Sequence, residues 1–265
     1  MPRLPHRAVR FTTIGRRLLL VSMVAGILAG AAPGEASPIS LNEVRTWQTA
    51  TPQSVATSTS TAWTAEVLST VKARMAPRVD AGVRTILRSY TPYSSAPARF
   101  LATAAARDSG GRDWVRVQIA ERPNTSSAWV PAAAVHLART TTRIVVRLGA
   151  RRLELWRGAE RVADYPAGIG RAVTPTPTGT FAVQDTVVTP VADRGAYGRF
   201  ILTLTAHSDV LRRFGGGDGQ IAIHGSGSLG RIGRPSSHGC VIVNDVALAN
   251  LFRKVTAGTP VIIAR

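Results

Sequence analysis

The chain has 265 residues, and its 33 lysines and arginines outnumber 15 acidic residues for a formal net charge of +18. Almost all of that positive charge is arginine, since Lys72 and Lys254 are the only lysines. An arginine-rich surface suits polyanions. Only 6% of the residues are aromatic and no nucleic-acid-binding motif is present, so nucleic acid is excluded as a partner. The single cysteine, Cys240, excludes an intramolecular disulfide.

The chain opens with Arg3, Arg7, Arg10, Arg16 and Arg17, then an apolar run from Leu18 to Ala32. That run is too short and too rich in glycine and alanine for a membrane span, and small residues around Gly34-Glu35-Ala36 offer a cleavage point. Residues 1–36 therefore read as a signal peptide. The chain is expected in the cell envelope or wall, and it meets a membrane only if this segment stays uncleaved. Arg16-Arg17 before Leu18-Leu19 hints at twin-arginine export, without the rest of that pattern.

Residues 37–65 read as a flexible linker, because Thr57-Ser58-Thr59-Ser60-Thr61 offers no face to pack. Residues 66–139 read as a small β module. Trp114-Val115-Arg116-Val117-Gln118-Ile119 alternates like a half-buried strand, Arg122 to Ser127 is turn material, and Ala128-Trp129-Val130-Pro131 begins a second strand. This pattern resembles bacterial SH3-like wall-associated modules. Its tryptophans read as core, and the module as a positioning unit without chemistry of its own.

After Thr140-Thr141-Thr142 the rest, 142–265, reads as closely spaced strands: Ile144–Leu148, Leu153–Trp156, Arg161–Tyr165 and Phe181–Val183. The architecture expected is mainly β, a sandwich or barrel-like sheet. Thr174 to Gly179 is a stiff proline loop. One helix is predicted, capped by Asn244, with Leu248, Leu251, Phe252 and Val255 on one face and Gly258 ending it. Pro260–Ile263 returns as a final strand.

The chemistry gathers at a loop between two apolar strands. Gln220–Ile223 delivers His224; Pro235-Ser236-Ser237-His238-Gly239 leads into Cys240, and Val241–Val243 is again strand-like. Both His224 and Cys240 then sit at the base of one loop. A free thiol is only a few per cent ionised at neutral pH, and a neighbouring imidazole can raise its thiolate fraction. Gly239 permits close backbone approach, and the amides at Gly239 and Cys240 offer an oxyanion hole.

His224-Gly225 followed by Ser237-His238-Gly239-Cys240 resembles the signature of the YkuD-type L,D-transpeptidases, and Thr176-Pro177-Thr178-Gly179-Thr180-Phe181 is similar to another recurrent element of that family. The resemblance covers Thr142 to Arg265 and implies a YkuD-like β-sandwich with one C-terminal helix. It implies an acyltransferase of peptidoglycan stem peptides that releases D-alanine through a Cys240 thioester, with His224 as general acid/base. It places Gly225, whose carbonyl orients the histidine, and Ser237, His238 and Gly239 as residues shaping the site. It implies no metal and no organic cofactor. The family commonly carries Arg or Asn two residues after the cysteine, where this chain has Ile242.

Arg231 and Arg234 are candidates for the carboxylates of the stem peptides, or else a solvated rim with Arg212 and Arg213. The expected partners are peptidoglycan stem peptides and anionic cell-wall polymers, and the chain is expected to be a monomer. A non-catalytic wall-binding protein on a degenerate transpeptidase fold remains the alternative. A zinc site at His224, His238 and Cys240 has only three ligands in view at an unfamiliar spacing. A cysteine wall peptidase would place its cysteine before the histidine, and a sortase would need a later catalytic arginine; neither pattern is present. His207 reads as a structural histidine, and Gly215–Gly219 as a tight turn or a lid.

Overall fold

The computed structural model describes residues 61–265. The predicted signal peptide and most of the predicted linker lie outside the described residues. The first sheet has seven strands: β1 Ala62–Val67, β2 Val71–Arg74, β3 Val83–Leu87, β4 Arg99–Arg107, β5 Asp113–Gln118, β6 Ser127–Pro131 and β7 Val135–Thr140. Their order is β3-β2-β6-β5-β4-β1-β7. The linker was expected to reach residue 65, but β1 begins at Ala62 and pairs with both β4 and β7. Trp63 and Ala65 supply the buried apolar face that the preceding Thr/Ser run lacks.

The predicted hairpin is present: β5 pairs antiparallel with β6 from Trp114↔Pro131 to Gln118↔Ser127. Its tryptophans are not bare platforms. Trp114 is fully buried and donates its indole N–H to Asp108 Oδ2 at 2.9 Å. The Arg116 guanidinium covers Trp129 across the strands, as Arg139 covers Trp63. Such contacts add a modest cation–π attraction to each cross-strand pair.

Only Thr141 separates β7 from β8 Thr142–Arg147, so the Thr140–Thr142 run is a corner between sheets and not a tether. β8 is followed by β9 Arg152–Arg157, β10 Glu160–Pro166, β11 Ile169–Gly170, β12 Gly179–Val188, β13 Phe200–His207, β14 Gln220–His224, β15 Pro235–Ser237, β16 Val241–Ile242 and β17 Pro260–Ala264. Eight of these form a mixed sheet, β10-β9-β8-β17-β12-β13-β14-β16; β11 and β15 pair separately. The architecture is mainly β, as expected. Leu153 and Leu155 near one end of the sheet share a single core with Ile223, Val241 and Val243 near the other, so the sheet curls around that core.

Among the described residues two α-helices interrupt the strands, where one was expected. The short α1, Arg194–Tyr197, carries no buried residue and so gave no periodic apolar signal. The longer α2, Asp245–Lys254, is the predicted helix. Asn244 caps it by accepting from the Ala247 N–H at 2.7 Å, and Leu248 and Leu251 enter the core. It stops at Lys254, four residues before Gly258, which takes φ +85° in the following turn. Among the described residues no helix is long and apolar enough to cross a membrane.

Candidate active site

β14 and β16 run parallel with Ile223 opposite Val241 and His224 opposite Ile242. That register brings Cys240 beside Ala222, two positions before His224. Side chains two apart on a strand share a face, so the thiol and the imidazole face one cavity of about 280 Å³. Tyr197, Phe214, Arg231 and His238 complete much of its wall.

His224 is 4% exposed and fixed in orientation. Its Nδ1 donates to the Gly225 carbonyl at 2.6 Å, which leaves Nε2 as the basic nitrogen. The Tyr197 ring meets the imidazole edge-on at 5.2 Å between centroids. The strand end is tight. The Gly225 N–H donates to the Tyr197 carbonyl at 2.8 Å and the Val243 N–H donates to the His224 carbonyl at 3.0 Å. A Cβ on Gly225 would lie 2.1 Å from Asp245 Oδ1, so only glycine fits between α2 and the loop that ends α1.

Cys240 is half-buried at the cavity wall and is a free cysteine. Ser237 organises the turn before it. Its hydroxyl donates to the Cys240 carbonyl at 2.6 Å and accepts from the Gly239 N–H at 3.1 Å. Gly239 has φ +124°, a backbone that side chains rarely adopt, and a Cβ there would come 2.8 Å from Ile221 Cδ1. Ser237's carbonyl is in turn bound by the Arg171 N–H at 3.1 Å and the Thr174 hydroxyl at 3.3 Å. Thr176 Oγ1 accepts from the Gly170 N–H at 2.8 Å. The proline loop thus buttresses the cysteine turn.

Electrostatics differ from the expectation of a thiolate raised by its histidine. Burial lowers the His224 pKa to about 4, reinforced by the positive Arg231 and only partly opposed by the Gly225 carbonyl. Burial also raises the Cys240 thiol, despite a backbone bond from Ala222 and the same Arg231 charge. Desolvation disfavours both charged forms, so the resting pair at neutral pH is a neutral thiol and a neutral imidazole.

The other predicted residues divide between the cavity wall and its surroundings. His238 is exposed, its ring tilted against Phe214 at 4.7 Å. Arg231 lines the cavity, whereas Arg234 is exposed and outside its lining. The Gly239 N–H, expected to face an oxyanion, is taken by Ser237. Ile242 is fully buried beside Gly168, which its backbone binds twice at 2.8 Å, and its side chain is not part of the cavity wall. His207 is buried, with Nε2 3.0 Å from Asp218 Oδ2. The glycine run forms a tight turn, closed by reciprocal bonds between Phe214 and Gly217. Among the described residues no cluster of three or more His, Cys, Asp or Glu side chains is set to hold a metal ion. Tyr197 and Phe214 escaped the sequence reading because neither lies in a patterned segment.

The curled sheet thus sets a histidine at the end of β14 beside a cysteine that immediately precedes its parallel neighbour β16. Residues 141–263 match the family model of the YkuD L,D-transpeptidase catalytic domain. The chain is 30% identical over 119 residues to the YkuD protein of Bacillus licheniformis, assigned as an L,D-transpeptidase; the match covers 45% of this chain and 63% of the relative. The Bacillus subtilis YkuD protein, likewise assigned, is 30% identical over 122 residues, covering 46% and 65%. The match thus spans less than two thirds of these relatives' length. Among solved structures, the Enterococcus faecium L,D-transpeptidase is similar at 21% identity and a TM-score of 0.37, covering 46% of this chain and 49% of that one. An L,D-transpeptidase from Mycobacterium smegmatis is similar at 19% identity and a TM-score of 0.37, covering 58% and 91%.

Proposed function

We propose that the protein is an exported cysteine L,D-transpeptidase acting on peptidoglycan stem peptides. The observation that carries this reading is the shared cavity of Cys240 and His224, with the His224 Nδ1 proton committed to Gly225 and Nε2 left free. Because both groups rest neutral, the nucleophile forms during attack. The Cys240 sulfur adds to the acyl carbonyl of the donor stem as its proton passes to His224 Nε2. The bond to the terminal D-alanine breaks, and His224 returns the proton to the departing amine. The thioester is then opened by an amine of a neighbouring stem, whose proton His224 takes before the thiol is regenerated. The Cys240 N–H is the oxyanion donor we favour, since the Gly239 N–H already serves Ser237. Arg231 at the cavity wall attracts a stem carboxylate.

The buried position of Ile242, outside the cavity wall, favours an active enzyme over a degenerate fold. The test is incubation of the mature protein with a tetrapeptide-stem disaccharide, read by intact mass. A thioester adduct in the wild type and none in Cys240→Ala supports the proposal. His224→Gln should still bind the donor but acylate about 100-fold to 10,000-fold more slowly. Wild-type protein that retains wall binding but forms neither adduct nor crosslinked dimer would return the chain to the wall-binding alternative.

A further inference from the structure

The loop from Ser208 to Gly219 forms one wall of the Cys240 cavity through Ser208, Leu211, Phe214 and Gly219, and its tip places Phe214 against His238. Its internal ties are few: a bond from the Ser208 N–H to the Gly219 carbonyl, those from the Val210 and Leu211 N–H groups to Ser208 Oγ, and the Phe214–Gly217 turn. At its base Asp218 also meets His207 Nε2 at 3.0 Å and accepts from the Gln220 N–H at 3.2 Å; further anchors come from the other sheet. Arg122, in the turn between β5 and β6, donates from Nη1 to the Ser208 carbonyl at 2.6 Å. Its Nη2 donates to the Leu211 carbonyl at 3.0 Å and the Asp218 carbonyl at 2.8 Å. One guanidinium therefore binds both the outgoing and the returning limb. Gly219 makes room for it, since a Cβ there would lie 3.1 Å from Arg122 Nη2 and 2.2 Å from the Leu211 carbonyl oxygen.

Asn124 completes the clamp. Its amide oxygen accepts from the His207 N–H at 2.8 Å, and its nitrogen donates to the His207 carbonyl at 2.8 Å and to Asp209 Oδ1 at 2.9 Å. It engages the end of β13 as a neighbouring strand would, at the point where the loop begins.

We infer that Arg122 and Asn124 are positioning residues for the cavity: the N-terminal sheet sets the wall against which a substrate of Cys240 lies. The planar fork of arginine suits this task, because a lysine ammonium cannot present donors to both limbs in one plane. The consequence for turnover rests on the proposed transpeptidase function, whereas the ordering of the loop does not.

The test compares the full chain with Arg122→Ala, Arg122→Lys and Asn124→Ala, and with Arg107→Ala, which removes an exposed ion pair to Asp113 elsewhere in the same sheet. Hydrogen exchange is the first readout. Amides of residues 209–218 should exchange at least about tenfold faster in Arg122→Ala, with β8 and β9 unchanged. Arg122→Lys should fall between, and Arg107→Ala should match wild type. Iodoacetamide should alkylate Cys240 within about twofold of the wild-type rate, because the Cys240–His224 geometry is held elsewhere, while KM for a tetrapeptide-stem donor rises at least about fivefold with kcat nearly constant. Loop exchange at the wild-type rate in Arg122→Ala would overturn the inference, as would faster exchange throughout the chain. If the wild type does not turn over the donor, the proposed function fails while the exchange result still decides whether the clamp orders the wall.

Discussion

The Ser237 hydroxyl donates to the carbonyl of Cys240 at 2.6 Å, and while doing so accepts from the Gly239 N–H between them. One buried oxygen thus closes the turn that presents the sulfur. Ser237→Ala removes the partner of a buried donor and a buried acceptor together, which should cost about 1–3 kcal/mol. Urea unfolding measures that loss. The acylation rate of Cys240 should fall about tenfold through misplacement of the thiol, and Ser237→Thr should restore much of both.

Gly225→Ala should be more damaging than its size implies. The new methyl would stand 2.1 Å from Asp245 Oδ1 and 2.9 Å from the Gly198 Cα, neither at the end of a long flexible chain. Relieving the overlap moves the Gly225 carbonyl that holds His224. The variant should lose more than about 2 kcal/mol of stability. Its remaining folded fraction should acylate more slowly than wild type, read as adduct per folded molecule.

His224 makes stability depend on pH. Its folded pKa of about 4 lies below the ordinary histidine value of 6.5, so between those values the unfolded chain binds the extra proton and the folded chain does not. Stability should therefore rise as pH rises from about 4 to 6.5, and fall on acidification through that window, by an amount on the order of 3 kcal/mol from this residue. Denaturation series at pH 4.5 and 7 measure it. In His224→Gln the difference between the two pH values should shrink by that share. A wild-type acylation rate that falls as pH approaches 4 would have the same origin, loss of the neutral imidazole.

Asp185 joins the two sheets. Fully buried in β12, it accepts from the N–H groups of Tyr93 and Ser94 at 2.8 and 2.9 Å and from the Ser94 hydroxyl at 2.5 Å, besides its own neighbour Thr186. Asp185→Ala strands three donors of the β3–β4 connection. The expected cost is at least about 2 kcal/mol. Limited proteolysis should show earlier cleavage within residues 91–97 than in the wild type.

The motif around Cys240 was legible because a strand, a histidine, a loop and the Ser-His-Gly-Cys turn are local in sequence, and each residue type answers a local need. Gly239 is an example: its positive φ follows from the turn it occupies. The Arg122 clamp was not legible. Its three carbonyl partners lie 86 to 96 residues away, and backbone carbonyls leave no residue-type signal. The turn at Arg122–Ser127 could be read, but not what its side chains hold. The start of β1 was misread for a related reason: Thr64 and its neighbours have the composition of the tether before them, and only pairing with β4 and β7 distinguishes them. The neutral resting state of Cys240 and His224 depends on burial, a property of the assembled sheets.

β17 lies between β8, with which it runs parallel, and β12, with which it runs antiparallel. The seam of the eight-stranded sheet is therefore filled by Pro260–Ala264, the strand of that sheet that comes last in chain order. Until those five residues arrive, β8 and β12 each offer an unpaired edge, and exposed edges are templates for pairing with another chain. The order of synthesis is thus opposed to the order of assembly. A nascent chain has to be kept from self-association until β17 is available to close the sheet.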